Sequence, residues 1–110
     1  MNSRQRILAA IIHSEPDGIP VDLGATPSSG ISAIAYDNLL RILPVKDKRN
    51  WVYDVVQQVA QPSDEILDYF RIDTVDLGRT FNTQDCDWYD YTLLNGGIAQ
   101  QPTWFRPHKQ

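Results

Sequence analysis

The residues best placed to do chemistry gather in two short stretches. Thr26, Ser28 and Ser29 bring three hydroxyls, and with Gly30 they bring uncrowded backbone amides just ahead of an apolar helical pattern starting at Ile31. Amides at a helix start attract negative charge, so the loop reads as a site for a carboxylate or phosphate; its serines can equally serve as helix caps and nothing more. A P-loop is excluded, because Gly30 precedes Ile31 where that motif needs Lys and then Ser or Thr. The second stretch is Asp76 with Arg79. Asp76, and Asp22 ahead of the loop, can receive a cationic or donor-bearing substrate group if they point inward, or lie outward as solvated carboxylates. Arg79 suits bidentate carboxylate binding or a surface ion pair. Thr26, Ser28, Ser29, Gly30, Asp76 and Arg79 therefore form the candidate substrate-binding set, and no residue is assigned a catalytic role.

Other chemistry finds less support. One cysteine, Cys86, sits between Asp85 and Asp87, with His13 and His108 remote from it. Zinc sites need several ligands at regular spacing, and acidic neighbours raise a thiol's pKa rather than activate it. No metal site is predicted. Trp88, Tyr89, Tyr91, Trp104 and Phe105 read as cross-strand packing rather than a base-stacking platform, since Asp85, Asp87 and Asp90 would repel phosphates.

Elements that could position these residues follow from periodicity and caps. Asn2 or Ser3 can cap a first helix, with Gln5 able to reach back to Asn2, and Pro16 ends it. Ile19–Leu23 reads as a first strand with Pro20 near its start. Ile31, Ile34, Ala35, Leu39, Ile42 and Leu43 share a stripe on a second helix that closes at Pro44. Trp51 to Val59 fits strand and helix spacing alike, with a short helix through Gln57 and Gln58 preferred. Ser63 caps a third helix with Asp64 and Glu65 in its first turn. Ile72–Leu77 alternates and reads as a second strand. Asn95-Gly96 between Trp88–Thr92 and Ile98–Gln101 predicts an antiparallel hairpin ending at Pro102.

The chain has 110 residues, 42% of them hydrophobic, and a net charge of −4. These values suit one globular unit and argue against a nucleic-acid surface, which needs clustered Lys and Arg. The apolar run Ile7–Ile12 is too short for a membrane span or a signal peptide. A single cysteine suits a reducing compartment, so the expected location is the cytoplasm.

The order of these segments carries a resemblance. His13-Ser14-Glu15-Pro16-Asp17, Ile19-Pro20-Val21-Asp22-Leu23-Gly24, the loop to Gly30, Ile31-Ser32-Ala33-Ile34-Ala35-Tyr36, Val52-Tyr53-Asp54-Val55-Val56-Gln57-Gln58 and Ile72-Asp73-Thr74-Val75-Asp76-Leu77-Gly78 together resemble the start of the uroporphyrinogen decarboxylase family. The likeness runs from Arg4 to about Phe105 and is closest to the branch of corrinoid-dependent methyltransferases. Such proteins are complete (β/α)8 TIM barrels of about 250 residues. The resemblance thus implies an α/β fold, an incomplete N-terminal part of a TIM barrel over residues 1–84, with the hairpin and tail over 85–110.

What the family does is either to decarboxylate the acetate arms of a tetrapyrrole without a cofactor, or to move a methyl group from a corrinoid to a thiol held by zinc. This chain has no arginine between Gly18 and Arg41, where the decarboxylases carry an arginine-rich segment, so the resemblance implies methyl transfer ahead of decarboxylation. Gly18 and Arg71 also depart from the family's usual arginine and glycine there. The zinc-binding residues of the methyltransferases lie later than anything here, so zinc and corrinoid are cofactors of full-length relatives and none is expected in this chain. The expectation is an N-terminal fragment, inactive alone, of an enzyme acting on a small-molecule substrate, with no nucleic-acid or membrane partner. The alternative is a non-catalytic binding module that self-associates through open strand edges.

Overall fold

A computed structural model describes residues 1–77 and 82–107. Helix α1 (Ser3–Ile11) begins at Asn2, whose side chain accepts from the Gln5 amide while Gln5 returns the bond to the Asn2 amide. Strand β1 (Ile31–Ser32) leads into helix α2 (Ala33–Ile42), which Ser32 caps by accepting from the Ala35 amide. Strands β2 (Val52–Asp54) and β3 (Val59–Ala60) follow, then helix α3 (Asp64–Tyr69) and the hairpin β4 (Trp88–Thr92) and β5 (Ile98–Pro102).

The strands make two antiparallel sheets, one in the order β1-β3-β2 and the other β4-β5. In the hairpin, Trp88 faces Pro102 and Thr92 faces Ile98. Gly96 takes φ +84°, the left-handed conformation that a tight Asn-Gly turn needs. An isolated parallel bridge from Trp51 to Gln100 joins the sheets. Asn50 secures that junction while fully buried: its amide donates to the Gln100 side chain at 2.8 Å and its Nδ2 to the Ala33 carbonyl at 2.9 Å.

Two buried clusters form the core. One gathers Tyr36, Leu40, Val45, Ala60 and Ile66, joining α2, β3 and α3. The other gathers Ala33, Val52, Leu93 and Ala99, joining α2 to both sheets. The inward face of α2 is thus Ala33, Tyr36 and Leu40, and Ile42 is left exposed. The buried face is centred on Tyr36, which the expected stripe leaves out; it reaches the core and accepts the Ser63 amide proton through its hydroxyl at 3.0 Å. Tyr36→Phe removes that acceptor and strands the Ser63 N–H. A loss of about 1 kcal/mol is expected in urea unfolding, and an unchanged midpoint would show that water replaces the hydroxyl.

The expected barrel construction is overturned. Ile19–Leu23 and Ile72–Leu77 are not strands of a parallel sheet, the described strand ladders are antiparallel, and no barrel closes among the described residues. The two segments do run side by side: the Asp73 amide donates to the Val21 carbonyl at 2.8 Å. No ladder extends from that bond, because the Val21 amide goes to the Asp73 carboxylate instead and Pro20 has no amide proton. Parallel strands are stable when buried on both faces; here Ile19 and Leu77 are 86% and 89% exposed. Residues 55–58, preferred as a short helix, form the turn between β2 and β3, with Gln58 at φ +55°. The Cα radius of gyration is 15.8 Å, against about 13 Å for a compact chain near this length, as expected of a fold with open edges. Among the described residues, no helix is long and apolar enough to cross a membrane.

Candidate functional site

An open cleft of about 370 Å³ lies between the two sheets and the segment leading to Asp76. Trp51, Tyr53, Trp88 and Trp104 supply aromatic walls, Pro27 and Pro102 apolar ones, and Gln61, Asp76, Asn82 and Thr83 the polar surface. Trp51 and Trp88 stack with ring centroids 4.7 Å apart and planes 9° from parallel. This follows from the Trp51–Gln100 bridge, which brings the strand edge carrying Trp51 against the hairpin that carries Trp88. The Trp88 indole N–H donates to the Asn82 carbonyl at 3.0 Å, fixing the ring's orientation. The Arg49 guanidinium lies 4.6 Å from the Trp51 ring centre and is held by Asp47 at 3.0 Å. Trp104 is 61% exposed at the mouth.

Asp76 lines this cleft, and from the 24–30 loop so does Pro27. Thr26, Ser28, Ser29 and Gly30 lie outside its lining. Within that loop the Ser29 amide donates to the Thr26 carbonyl and the Gly30 amide to the Pro27 carbonyl, closing a 3-10 turn. Helix α2 begins only at Ala33, beyond β1, so these amides are not the helix start the sequence pattern places there. Gly24, at φ +80°, turns the chain into the loop against Pro62. Arg79 lies outside the described residues. Cys86 is exposed.

Asp22 is a tie rather than part of the cleft. Its carboxylate accepts from the Thr74 hydroxyl and, at 3.3 Å, from the Ala25 amide, and the Thr74 bond holds it below the usual carboxylate range. A second tie clamps α1: Arg6 pairs with Asp17 at 2.7 Å and with Asp73. The Arg6 hydrogen bond, helped by the chain's amino terminus, brings Asp17 down from 3.8 to about 2. The Val21 amide is the chief cause holding Asp73 low. Glu65 is lowered by the Asp47 and Lys46 amides, which donate to it at 3.0 and 2.8 Å.

These carboxylates give acid sensitivity of defined sign. Each has a folded pKa below its unfolded one, so its contribution is complete above the unfolded value and is lost as pH falls through the folded one. For Asp17 that window runs from 3.8 down to about 2. The urea midpoint is expected to drop across that interval, and Asp17→Asn should flatten part of the decline; an unaltered slope in the variant would show that the Arg6 pair contributes nothing.

Trp51, Tyr53 and Gln61 are cleft residues that sequence reasoning missed, and Trp88 and Trp104 were assigned to packing alone. The one available signal was that the chain's three tryptophans stand at the start of the ambiguous run Trp51–Val59, at the start of the expected hairpin and just past its end. No protein-family model, curated protein or solved structure matches the chain. Among the described residues, no three His, Cys, Asp or Glu side chains are grouped to hold a metal ion. The cleft, at the lower end of the size range for small-ligand pockets, does not fit a corrinoid macrocycle.

Proposed function

We propose that this chain is the N-terminal portion of a small-molecule enzyme of the uroporphyrinogen decarboxylase family, on its methyl-transfer side, and that it is inactive alone and works in the cytoplasm. The ordered residue series supports the family. The sequence supports the branch: there is no arginine between Gly18 and Arg41, where the decarboxylases carry an arginine-rich segment for a tetrapyrrole bearing several carboxylates. The chain's own part is to bind and orient the substrate and to shield it from water.

A paired assay tests this on the 110-residue chain and on the polypeptide its gene encodes. One arm follows methyl loss from methylcobalamin to 2-mercaptoethanol, and the other follows carbon dioxide release from uroporphyrinogen. Methyl transfer by the encoded polypeptide, with neither reaction from the chain alone, is the expected result. Decarboxylation, activity of the isolated chain, or no reaction in either form overturns the proposal.

The exposed apolar row of Ile19, Val21, Val75 and Leu77 favours one second reading, a non-catalytic module that self-associates along these open segments. Concentration-dependent dimerisation in size-exclusion chromatography, abolished by Val75→Lys, would support it. A monomer at every concentration would remove it.

A further inference from the structure

Of the chain's asparagines, Asn95 alone is followed by glycine. The pair sits at the tip of the β4–β5 hairpin, where Leu94, Asn95 and Gly96 are all exposed to solvent. We infer that Asn95 is a self-modification site, converting to aspartate or isoaspartate, and that the new carboxylate releases the hairpin tip from α2.

The conversion needs only the chain and water. The Gly96 amide gives its proton to solvent base, and its nitrogen attacks Asn95 Cγ. The new C–N bond closes a succinimide ring, the Cγ–Nδ2 bond breaks, and the carboxamide nitrogen takes a solvent proton and leaves as ammonia. Water then adds to either ring carbonyl: opening at Cγ gives aspartate, opening at the backbone carbonyl gives isoaspartate, and nothing is oxidised or reduced. Glycine favours the closure, because no Cβ obstructs its nitrogen and its backbone turns freely. The Gly97 amide already donates to Asn95 Oδ1 at 3.0 Å, the oxygen on which negative charge collects during the attack. The Gly96 amide must first let go of the Leu93 carbonyl at 2.9 Å. In a turn this exposed that local opening leaves the core folded.

The fold gives the conversion its consequence. Asn95 Nδ2 donates to Asp37 Oδ2 at 3.2 Å and to Asn38 Oδ1 at 3.3 Å, which ties the turn to α2. Exchanging the amide for a carboxylate replaces a donor by an acceptor. Asn38 can rotate its own amide and donate in return, whereas the Asp37 carboxylate cannot, and its side chain is only 13% exposed. Arg41 pairs with Asp37 at 2.9 Å and offsets part of the added charge, but from the solvated surface such pairs contribute little. The isoaspartate form fits worse still, since its main chain is longer by one carbon. Gly97 lies so close to Asp37 that a Cβ there would come within 2.3 Å of Oδ2, so the lengthened loop finds no slack on that side.

Incubating the folded 110-residue chain in oxygen-18 water at neutral pH, followed by peptide mass spectrometry, reads the conversion. Labelled oxygen is expected in the peptide holding Asn95 well ahead of those holding Asn38 and Asn50. Asn95→Asp, which carries the product's charge, should raise the unfolding equilibrium constant measured in urea about three- to tenfold, the range for one ordinary hydrogen bond. Combining it with Asp37→Asn should remove most of that rise, because the introduced amide can donate to the new carboxylate. Equal labelling at the three asparagines, or labelling confined to the urea-unfolded chain, overturns the site. A rise that is absent, or equally large in the Asp37→Asn background, overturns the release from α2.

Discussion

Truncating Ile66 to alanine is expected to lower stability by about 2–5 kcal/mol, the range for emptying a fully buried aliphatic site. Ile66 is wholly inaccessible and sits among Tyr36, Leu40, Val45 and Ala60. It is also the buried residue of α3, whose six residues are far too few to be helical without tertiary support. Losing it therefore costs more than its own methyl groups: α3 carries Glu65, which holds the Lys46 and Asp47 amides, and follows Ser63, whose amide bonds to Tyr36. Urea unfolding followed by far-ultraviolet circular dichroism measures the change. Ile66→Val, which keeps most of the volume, should cost only about 0.5–1.5 kcal/mol. Equal losses from the two variants would mean that the cluster collapses around the cavity or was never tightly packed.

Trp88→Ala is expected to cost about 3–5 kcal/mol in urea unfolding. Trp88 is 9% exposed, stacks on Trp51 and is oriented by Asn82, so its removal opens the core and dismantles one wall of the cleft together. Because such a loss rivals the total stability of a small domain, Trp88→Phe provides the discriminating variant. It keeps a ring against Trp51 but loses the indole N–H, so about 1 kcal/mol of stability should go. A loss as large as that of the alanine variant would show that the indole's full width, not merely an aromatic ring, builds the wall.

The parts of this fold legible in the sequence are those set by neighbours three or four residues apart. Asn2 with Gln5, Ser63 ahead of Asp64 and Glu65, and Asn95-Gly96 are each read from chemistry within a single turn, and each element starts or reverses where those residues place it. The apolar stripe of α2 was harder to place, because hydropathy sets Tyr36 aside while the folded chain buries its ring and gives its hydroxyl one partner. Ile19–Leu23 and Ile72–Leu77 have the composition of strands, and a backbone hydrogen bond joins them from Asp73 to Val21. Composition alone does not say whether a second neighbour exists to complete a ladder, and in this fold Asp73 takes the amide that a partner strand would have used.

The candidate site was legible only in part for the same reason. Asp76 could be singled out as an acid at the end of an extended run, and it does line the cleft. The hydroxyl loop looked like the head of a helix because no local signal announces that β1 intervenes before Ala33. Trp51 and Trp88 stand 37 positions apart and Trp104 another 16 along, so nothing nearby in sequence marks them as neighbours.

By itself, then, the order of amino acids determined the starts of α1 and α3, the hairpin turn, the acidic and single-cysteine character, and the alternating runs that could become strands, because each depends on contacts within a few residues. Which runs pair, which way they run, which face of α2 turns inward and which rings meet in the cleft were decided by tertiary structure. Those choices rest on contacts between distant residues, where a backbone amide takes whichever acceptor the assembled chain presents first.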